Sequence, residues 1–290
     1  MKPPPFEYSA ARSVEEAVDL LAEHGDEAKV LAGGQSLLPL LSLRLARPGV
    51  LVDINAVTEL GHIKDGSGLE LGAMVRHRAA ERSADVRAEA PLVSDALRLV
   101  GHAAIRSRGT IGGSLAHADP AAELPAVLLA LDGEVVATSR RGSRTVAAAD
   151  LFEGFLTTAL EPDELLTTVR VPAWPAGAGW SFQEFSRRSG DFGVAGVACL
   201  LALDGGGRVG QARLAFSGVA GTPVRPAAAE AVLVGATPST ELWEEAGRVA
   251  AGQLDPPGDL HGTPAYRRHL AAVLARRALA EAFDRAKGAA

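Results

Sequence analysis

The feature that most constrains this chain is a phrase that occurs twice. "AGGQS" stands at 32–36 and "TIGGSLAHADPAAELP" at 110–125, each after a short apolar step and each running into a helical pattern. Adjacent glycines at the end of a strand can be plain punctuation, with the serine capping the next helix. They can also let backbone N–H groups crowd toward an anion, with a hydroxyl and a helix N-terminus aimed the same way. Two such turns facing each other would hold a diphosphate from both sides, a geometry suited to a dinucleotide. The common fingerprints for that job are missing. No G-x-G-x-x-G leads from a strand into a helix, and no G-x-x-x-x-G-K-[ST] occurs. A dinucleotide site in this chain would need another architecture.

The elements around the two phrases are α/β material. "SVEEAVDLLAEHG" predicts a helix opened by a Ser13/Glu16 capping box and stopped by Gly25. "AKVLA" and "VLVDI" read as short buried strands, and "SLLPLLSLRLA" as a helix with Pro39 in its first turn. "KPPPFEY" reads as a stiff extended arm. Residues 60–76 fit a hairpin turning near Asp65-Gly66, residues 77–104 are helical in pattern, and "AAELPAVLLAL" predicts another helix. A hairpin at "DGEVVATSRRGSRTV" and a strand at "ELLTTVRVP" lead to "PAWPAGAG" at 172–179, whose prolines and glycines mark a boundary. Beyond it, "SFQEFS", "GVAGVACLLAL" and "GQARLAFSGV" predict a three-stranded meander. Three helices follow at about 225–235, 239–252 and 264–286. The last opens with Thr263 as cap and Pro264 in first position, and Tyr266, Leu270 and Leu274 should pack on the sheet.

Composition narrows the functions. With Lys+Arg 29 against Asp+Glu 35 and a net charge of −6, no basic face for nucleic acid is expected. The start has no apolar core of a signal peptide and no apolar run reaches membrane-spanning length, so no membrane insertion and a cytoplasmic location are expected. The single cysteine, Cys199, lies in an apolar run and reads as a small buried hydrophobe. One thiol cannot build an iron–sulfur cluster, which wants about four. His117 and Asp119 lack a second pair at ligand spacing, so no metal is expected. His24, His62, His77, His102, His261 and His269 read as surface or capping residues. Arg106 and Arg108 either help neutralise a diphosphate or face solvent. No G-x-S-x-G of a hydrolase occurs.

The paired phrases, with "FEY", "LVDI", "LEPDELLTTVRVP", "RRSGDFGVA" and "YRRHLAAVLARRAL" in this order, resemble the FAD-binding medium subunits of molybdenum hydroxylases. That family includes the aerobic carbon monoxide dehydrogenase, xanthine dehydrogenase and aldehyde oxidase type enzymes. The resemblance implies an α+β fold of α/β type. Residues 1–175 would form a two-lobed FAD-binding domain of the vanillyl-alcohol-oxidase-like type, with lobes at roughly 1–56 and 57–175. A C-terminal flavoprotein domain over 180–290 would follow, a small antiparallel three-stranded sheet with a helical bundle.

It further implies non-covalent FAD, with Ala32, Gly33, Gly34, Gln35 and Ser36 at the diphosphate, joined by Thr110, Ile111, Gly112, Gly113 and Ser114. His117, Asp119 and Glu123 would lie near the cofactor, and Asp191 and Phe192 beside the flavin ring, unless "RRSGD" is only a salt-bridged surface turn. Relatives often carry tyrosine at the Phe192 position; phenylalanine can stack but cannot donate a hydrogen bond. No residue of the chain itself is expected to be catalytic. Molybdopterin and [2Fe-2S] clusters would belong to partner large and small subunits in a dimer of heterotrimers, with FAD passing electrons to an external acceptor. The alternatives are a self-sufficient FAD-dependent oxidase of the vanillyl-alcohol type and a non-redox nucleotide-binding module.

Overall fold

A computed structural model describes residues 2–66 and 68–289. The chain opens with β1 (Glu7–Ala10), α1 (Val14–His24), β2 (Ala28–Leu31), α2 (Leu37–Ser42) and β3 (Val50–Asp53), whose strands form a parallel sheet in the order β1-β3-β2. Ser13 caps α1 by accepting from the Glu16 N–H at 3.1 Å, while the Glu16 carboxylate reaches back to the N–H of Arg12 at 2.8 Å. The proline-led arm runs directly into a strand. Residues 7–10 are a strand, because the open edge of β3 offers the partners their backbone needs.

The middle of the chain builds a five-stranded antiparallel sheet. Its elements are β4 (Ile63–Asp65), β5 (Gly68–Gly72), α3 (His77–Arg82), α4 (Ala84–Glu89), α5 (Pro91–Leu97), α6 (Ala103–Arg108), α7 (Ile111–His117), α8 (Glu123–Ala130), β6 (Glu134–Ser139), β7 (Gly142–Ala147), α9 (Ala148–Leu151), β8 (Phe152–Gly154), β9 (Thr157–Thr158) and β10 (Leu165–Pro172). The order β4-β5-β10-β6-β7 puts the last strand in the centre. The helical stretch expected over 77–104 is broken at Ser83 and Ala90, where the backbone leaves helical angles. All eight residues of α8 are buried, which is why its sequence shows no polar face.

After the Pro/Gly-rich boundary come β11 (Gly179–Phe185), β12 (Ala195–Leu203), β13 (Val209–Ser217), α10 (Ala227–Leu233), α11 (Thr240–Gly252) and α12 (Pro264–Ala289). The strands form an antiparallel meander, β11-β12-β13. The glycines of "GGGRVG" at 205–210 lie in the turn after β12 and, for Gly210, in β13 itself, so this spacing leads from strand to strand and not to a helix N-terminus. Residues 195–202 of β12 are buried without alternation because both faces are covered. Val197, Cys199 and Leu201 join the core under α10, α11 and α12. Ala198 and Leu200, with Phe182 and Ala215, instead join the core of the five-stranded sheet and α8.

That second contact is pinned by polar groups. Asp95 on α5 accepts from the Trp180 indole at 3.0 Å and from Arg285 of α12 at 2.8 Å, and the Arg285 guanidinium lies 4.9 Å from the Trp180 ring centre. Thr263 caps α12 as expected, accepting from the Tyr266 N–H at 3.2 Å. Leu270 and Leu274 are buried, but Tyr266 is 40% exposed and meets Phe185 edge-on instead of entering the core. Among the described residues no helix is long and apolar enough to cross a membrane.

Candidate functional site

The two glycine phrases meet. A Cβ on Gly33 would collide with the Arg108 carbonyl, whose carbon would lie 2.9 Å away, and a Cβ on Gly113 would stand 3.6 Å from that of Ala32. Gly34 takes φ +73°, the left-handed region where glycine is favoured, and this bend turns β2 toward α2. The Gln35 amide folds back onto the Gly33 carbonyl at 2.9 Å and fixes the turn. Among the described residues, the N–H groups of Gly33, Gly34, Gln35 and Ser36 donate to no protein acceptor. Consecutive unpaired N–H groups in a bend form a concavity that suits an anion.

The second phrase works differently from expectation. Gly112 and Gly113 are not a strand-end turn; they sit in the first helical turn of α7, with Thr110 as the cap. Its donors are already used: Ile111 N–H bonds Val75 O at 3.0 Å, Gly112 bonds Ala73 O at 2.9 Å, and Ser114 bonds Thr110 O at 3.1 Å. Gly113 bonds the Thr110 hydroxyl oxygen at 3.1 Å. The glycines serve packing, since a Cβ at 112 would come within 2.5 Å of the Ala73 methyl and one at 113 within 2.6 Å of Thr110 Oγ1. A two-sided clamp of backbone donors is therefore corrected to an asymmetric slot. The free N–H groups are on the first phrase, and the second offers a wall of backbone whose donors are already paired.

His77 lies behind this wall, and the expectation of a surface histidine is wrong for it. It is 4% exposed, and burial pushes its pKa down to about 4, so the ring is neutral. Its Nε2 lies 2.9 Å from the Thr110 carbonyl oxygen, which can only accept, so Nε2 carries the proton. Of the two arginines weighed, Arg106 is structural, bonding Glu81 at 2.9 Å and the carbonyls of Val100 and Gly101. The Arg108 side chain is exposed and makes no hydrogen bond or ion pair among the described residues.

Past α7 the chain gathers carboxyl groups. His117 is half-buried with its pKa lowered, first by burial and also by Lys29 of β2, against the opposing pull of Asp119. Asp119 accepts from the Ala121 N–H at 2.9 Å, and the Pro120 carbonyl accepts from Gly218 at 2.7 Å, tying this turn to the end of β13. Glu123, first residue of α8, is 8% exposed, and burial, helped by Asp119, pushes its pKa up to about 7. Across the seam stands Glu184 of β11, which sequence reasoning missed. Burial pushes it up to about 8, the charge of Glu123 adding to the shift, and its Oε2 is buried with no partner. A glutamate two residues from Phe182, on the apolar face of a strand, was the available signal.

Asp191 and Phe192 lie on the exposed loop between β11 and β12, Phe192 at 69% exposure. Gly190 in this loop rests on His102, whose Nδ1 would lie 2.5 Å from an added Cβ, so the loop sits beside the segment leading into the second phrase. Residues 32–36 and 108–114 are thus brought together, and Asp119, Glu123 and Glu184 are brought together. Among the described residues, neither Asp191 nor Phe192 shares a hydrogen bond with either glycine phrase; the Asp191 N–H bonds the Arg188 carbonyl at 3.1 Å.

Residues 4–174 match the family described as the FAD binding domain in molybdopterin dehydrogenase, and residues 180–282 the CO dehydrogenase flavoprotein C-terminal domain. The chain is 44% identical over 288 residues to the 6-hydroxypseudooxynicotine dehydrogenase complex subunit alpha of Paenarthrobacter nicotinovorans, spanning 99% of this chain and 97% of that protein. It is 39% identical to the caffeine dehydrogenase subunit beta of Pseudomonas sp. (strain CBB1), over 98% of this chain and 97% of that one. A chain of the carbon monoxide dehydrogenase of Hydrogenophaga pseudoflava superposes with a TM-score of 0.96 at 41% identity, covering 98% of this chain and 99% of that one. Matched along nearly its whole length in sequence and in fold, the chain belongs to the FAD-binding medium subunits of the molybdenum hydroxylases, the group that includes carbon monoxide dehydrogenase.

Proposed function

We propose that this chain is the electron-transfer subunit of a heteromeric molybdenum hydroxylase and holds one FAD non-covalently, with the diphosphate on the N–H groups of Gly33, Gly34, Gln35 and Ser36. The observation that carries this assignment is that run of unpaired donors, held beside the second phrase. Bound FAD supplies what the side chains lack, taking electrons from iron–sulfur clusters and handing them to an external acceptor.

The chain's own residues bind and orient. Thr110 to Ser114 form the opposite wall, with the Ser114 hydroxyl as a further donor, and Ala32 lies at the diphosphate with the rest of the first phrase, its methyl turned toward Gly113. The unpaired Arg108 guanidinium adds positive charge near the diphosphate. His117, Asp119 and Glu123 follow along the slot, and Glu123, titrating near neutrality, can hold a proton there. Asp191 and Phe192 would flank the ring, on the loop whose Gly190 rests on His102. Cys199 is buried and alone, which supports clusters and molybdopterin on partner subunits.

Within this proposal residues 1–175 form the two-lobed FAD domain of the vanillyl-alcohol-oxidase-like type and 180–290 the C-terminal domain. The assembly is a cytoplasmic dimer of heterotrimers. The test is direct. The purified full chain should turn yellow with added FAD at one flavin per chain, and acid should release all of it. A colourless protein that ignores FAD would overturn the assignment.

A further inference from the structure

The two phrases are held at their separation by a polar chain that no motif announced. Arg76, at the N-terminal end of α3, spreads its guanidinium between two oxygens. Nη1 donates to the Arg108 carbonyl at 2.6 Å and Nη2 to Asn55 Oδ1 at 2.7 Å. The Asn55 amide in turn donates to the Ala32 carbonyl at 2.9 Å. The Arg108 carbonyl is also the group against which Gly33 is pressed. The contacts therefore close a ring: first phrase, Asn55, Arg76, the residue before the second phrase, and back to the first.

Both links are themselves anchored. Asp53 accepts from the Asn55 N–H at 2.8 Å and from its amide at 2.6 Å, and Tyr8 donates to the other Asp53 oxygen at 2.6 Å. The backbone of Arg76 pairs with Thr110, and His77 N–H bonds Gly109 O at 2.9 Å, so the guanidinium is fixed relative to the second phrase. Asn55 is exposed and Arg76 only part-buried, so neither fills a core. A planar fork is the group that can hold two oxygens in one fixed geometry, which an ammonium cannot.

We infer that Arg76 and Asn55 are positioning residues that set the width of the slot between the two glycine phrases and thereby its affinity for a diphosphate. The inference rests on the proposed FAD site and concerns what keeps that site in register. Neither residue need touch the ligand; each acts through the carbonyl it holds.

The test uses the full chain and its Asn55→Ala, Arg76→Met, Arg76→Lys and combined Asn55→Ala/Arg76→Met variants. Dissociation constants for FAD, ADP and riboflavin are read from fluorescence, alongside the melting temperature without ligand. Each single variant should weaken FAD and ADP about tenfold, a typical loss for one charge-assisted hydrogen bond, and leave riboflavin, which has no diphosphate, unchanged. The double variant should be no worse than the weaker single one, because both cut the same ring. Arg76→Lys should fall with Arg76→Met, since keeping the charge does not keep the fork. Wild-type binding by Asn55→Ala and Arg76→Lys, equal losses for riboflavin, or strictly additive losses would each overturn the inference. Should Arg76→Met fail to fold, the exposed Asn55→Ala and the Arg76→Lys variant carry the same decision. Failure of the unaltered chain to bind FAD would instead remove the broader proposal, so the two failures are told apart.

Discussion

Replacing Glu184 by glutamine tests whether the carboxyl groups at the seam are buried as described. In the folded chain Glu184 is pushed up to about 8 and Glu123 to about 7, against an ordinary 4.5, mainly by burial. A folded carboxyl with a raised pKa keeps its proton after the unfolded chain has released its own. The unfolded state then binds fewer protons, and stability falls as pH rises from about 4.5 to about 8, levelling off beyond. A full shift of this size would be worth roughly 5 kcal/mol at 1.36 kcal/mol per pKa unit. Glu184 is only part-buried and titrates beside Glu123, so about 2 kcal/mol is the figure to expect. Glutamine has no proton to lose. The stability difference between Glu184→Gln and wild type should therefore grow in the variant's favour by about 2 kcal/mol between pH 5 and 8, about 5 °C in melting temperature. Urea unfolding of both proteins at fixed ionic strength and pH 5, 6, 7 and 8 gives that difference directly. Any constant cost of placing an amide there cancels from the slope. A difference that stays flat, or turns against the variant as pH rises, would refute the reasoning.

Gly33→Ala should separate the two phrases, because the new methyl meets the Arg108 backbone; a loss of about 2 kcal/mol in stability and of flavin retention on gel filtration is expected, while Gly61→Ala, with nothing within 4 Å, serves as the unchanged control. Cys199 is fully buried and its thiol is pushed up by burial, so iodoacetamide should leave the native chain unlabelled by mass spectrometry and label it completely in urea.

What could be read from the sequence followed local chemistry. The cap of α1, the proline start of α12 and the apolar run of β12 each carry their signal within a few residues, and each forms as expected. What could not be read depends on partners distant in the chain. Nothing in "EYSA" announces a strand until β3 lies beside it. The glycines at 112 and 113 read as a free turn because the carbonyls of Ala73 and Val75, which occupy the N–H groups of Gly112 and Ile111, come from another segment. His77 looks like any lone histidine until Thr110 covers it. Glu184 and the Asn55–Arg76 link belong to neither phrase, so the site's electrostatics and its spacing were both invisible to motif reading.

The double burial of β12 has a mechanical consequence. A close-packed interior carries displacement onward instead of absorbing it. Val197, Cys199 and Leu201 touch the helical layer, while Ala198 and Leu200 touch the sheet beneath α8. The Pro/Gly-rich connection at 172–179 therefore joins layers that share one strand: a substitution that repacks the long C-terminal helix against Val197, Cys199 or Leu201 also presses on Ala198 and Leu200, and through them on the core that holds Ile111 and Leu115 of α7.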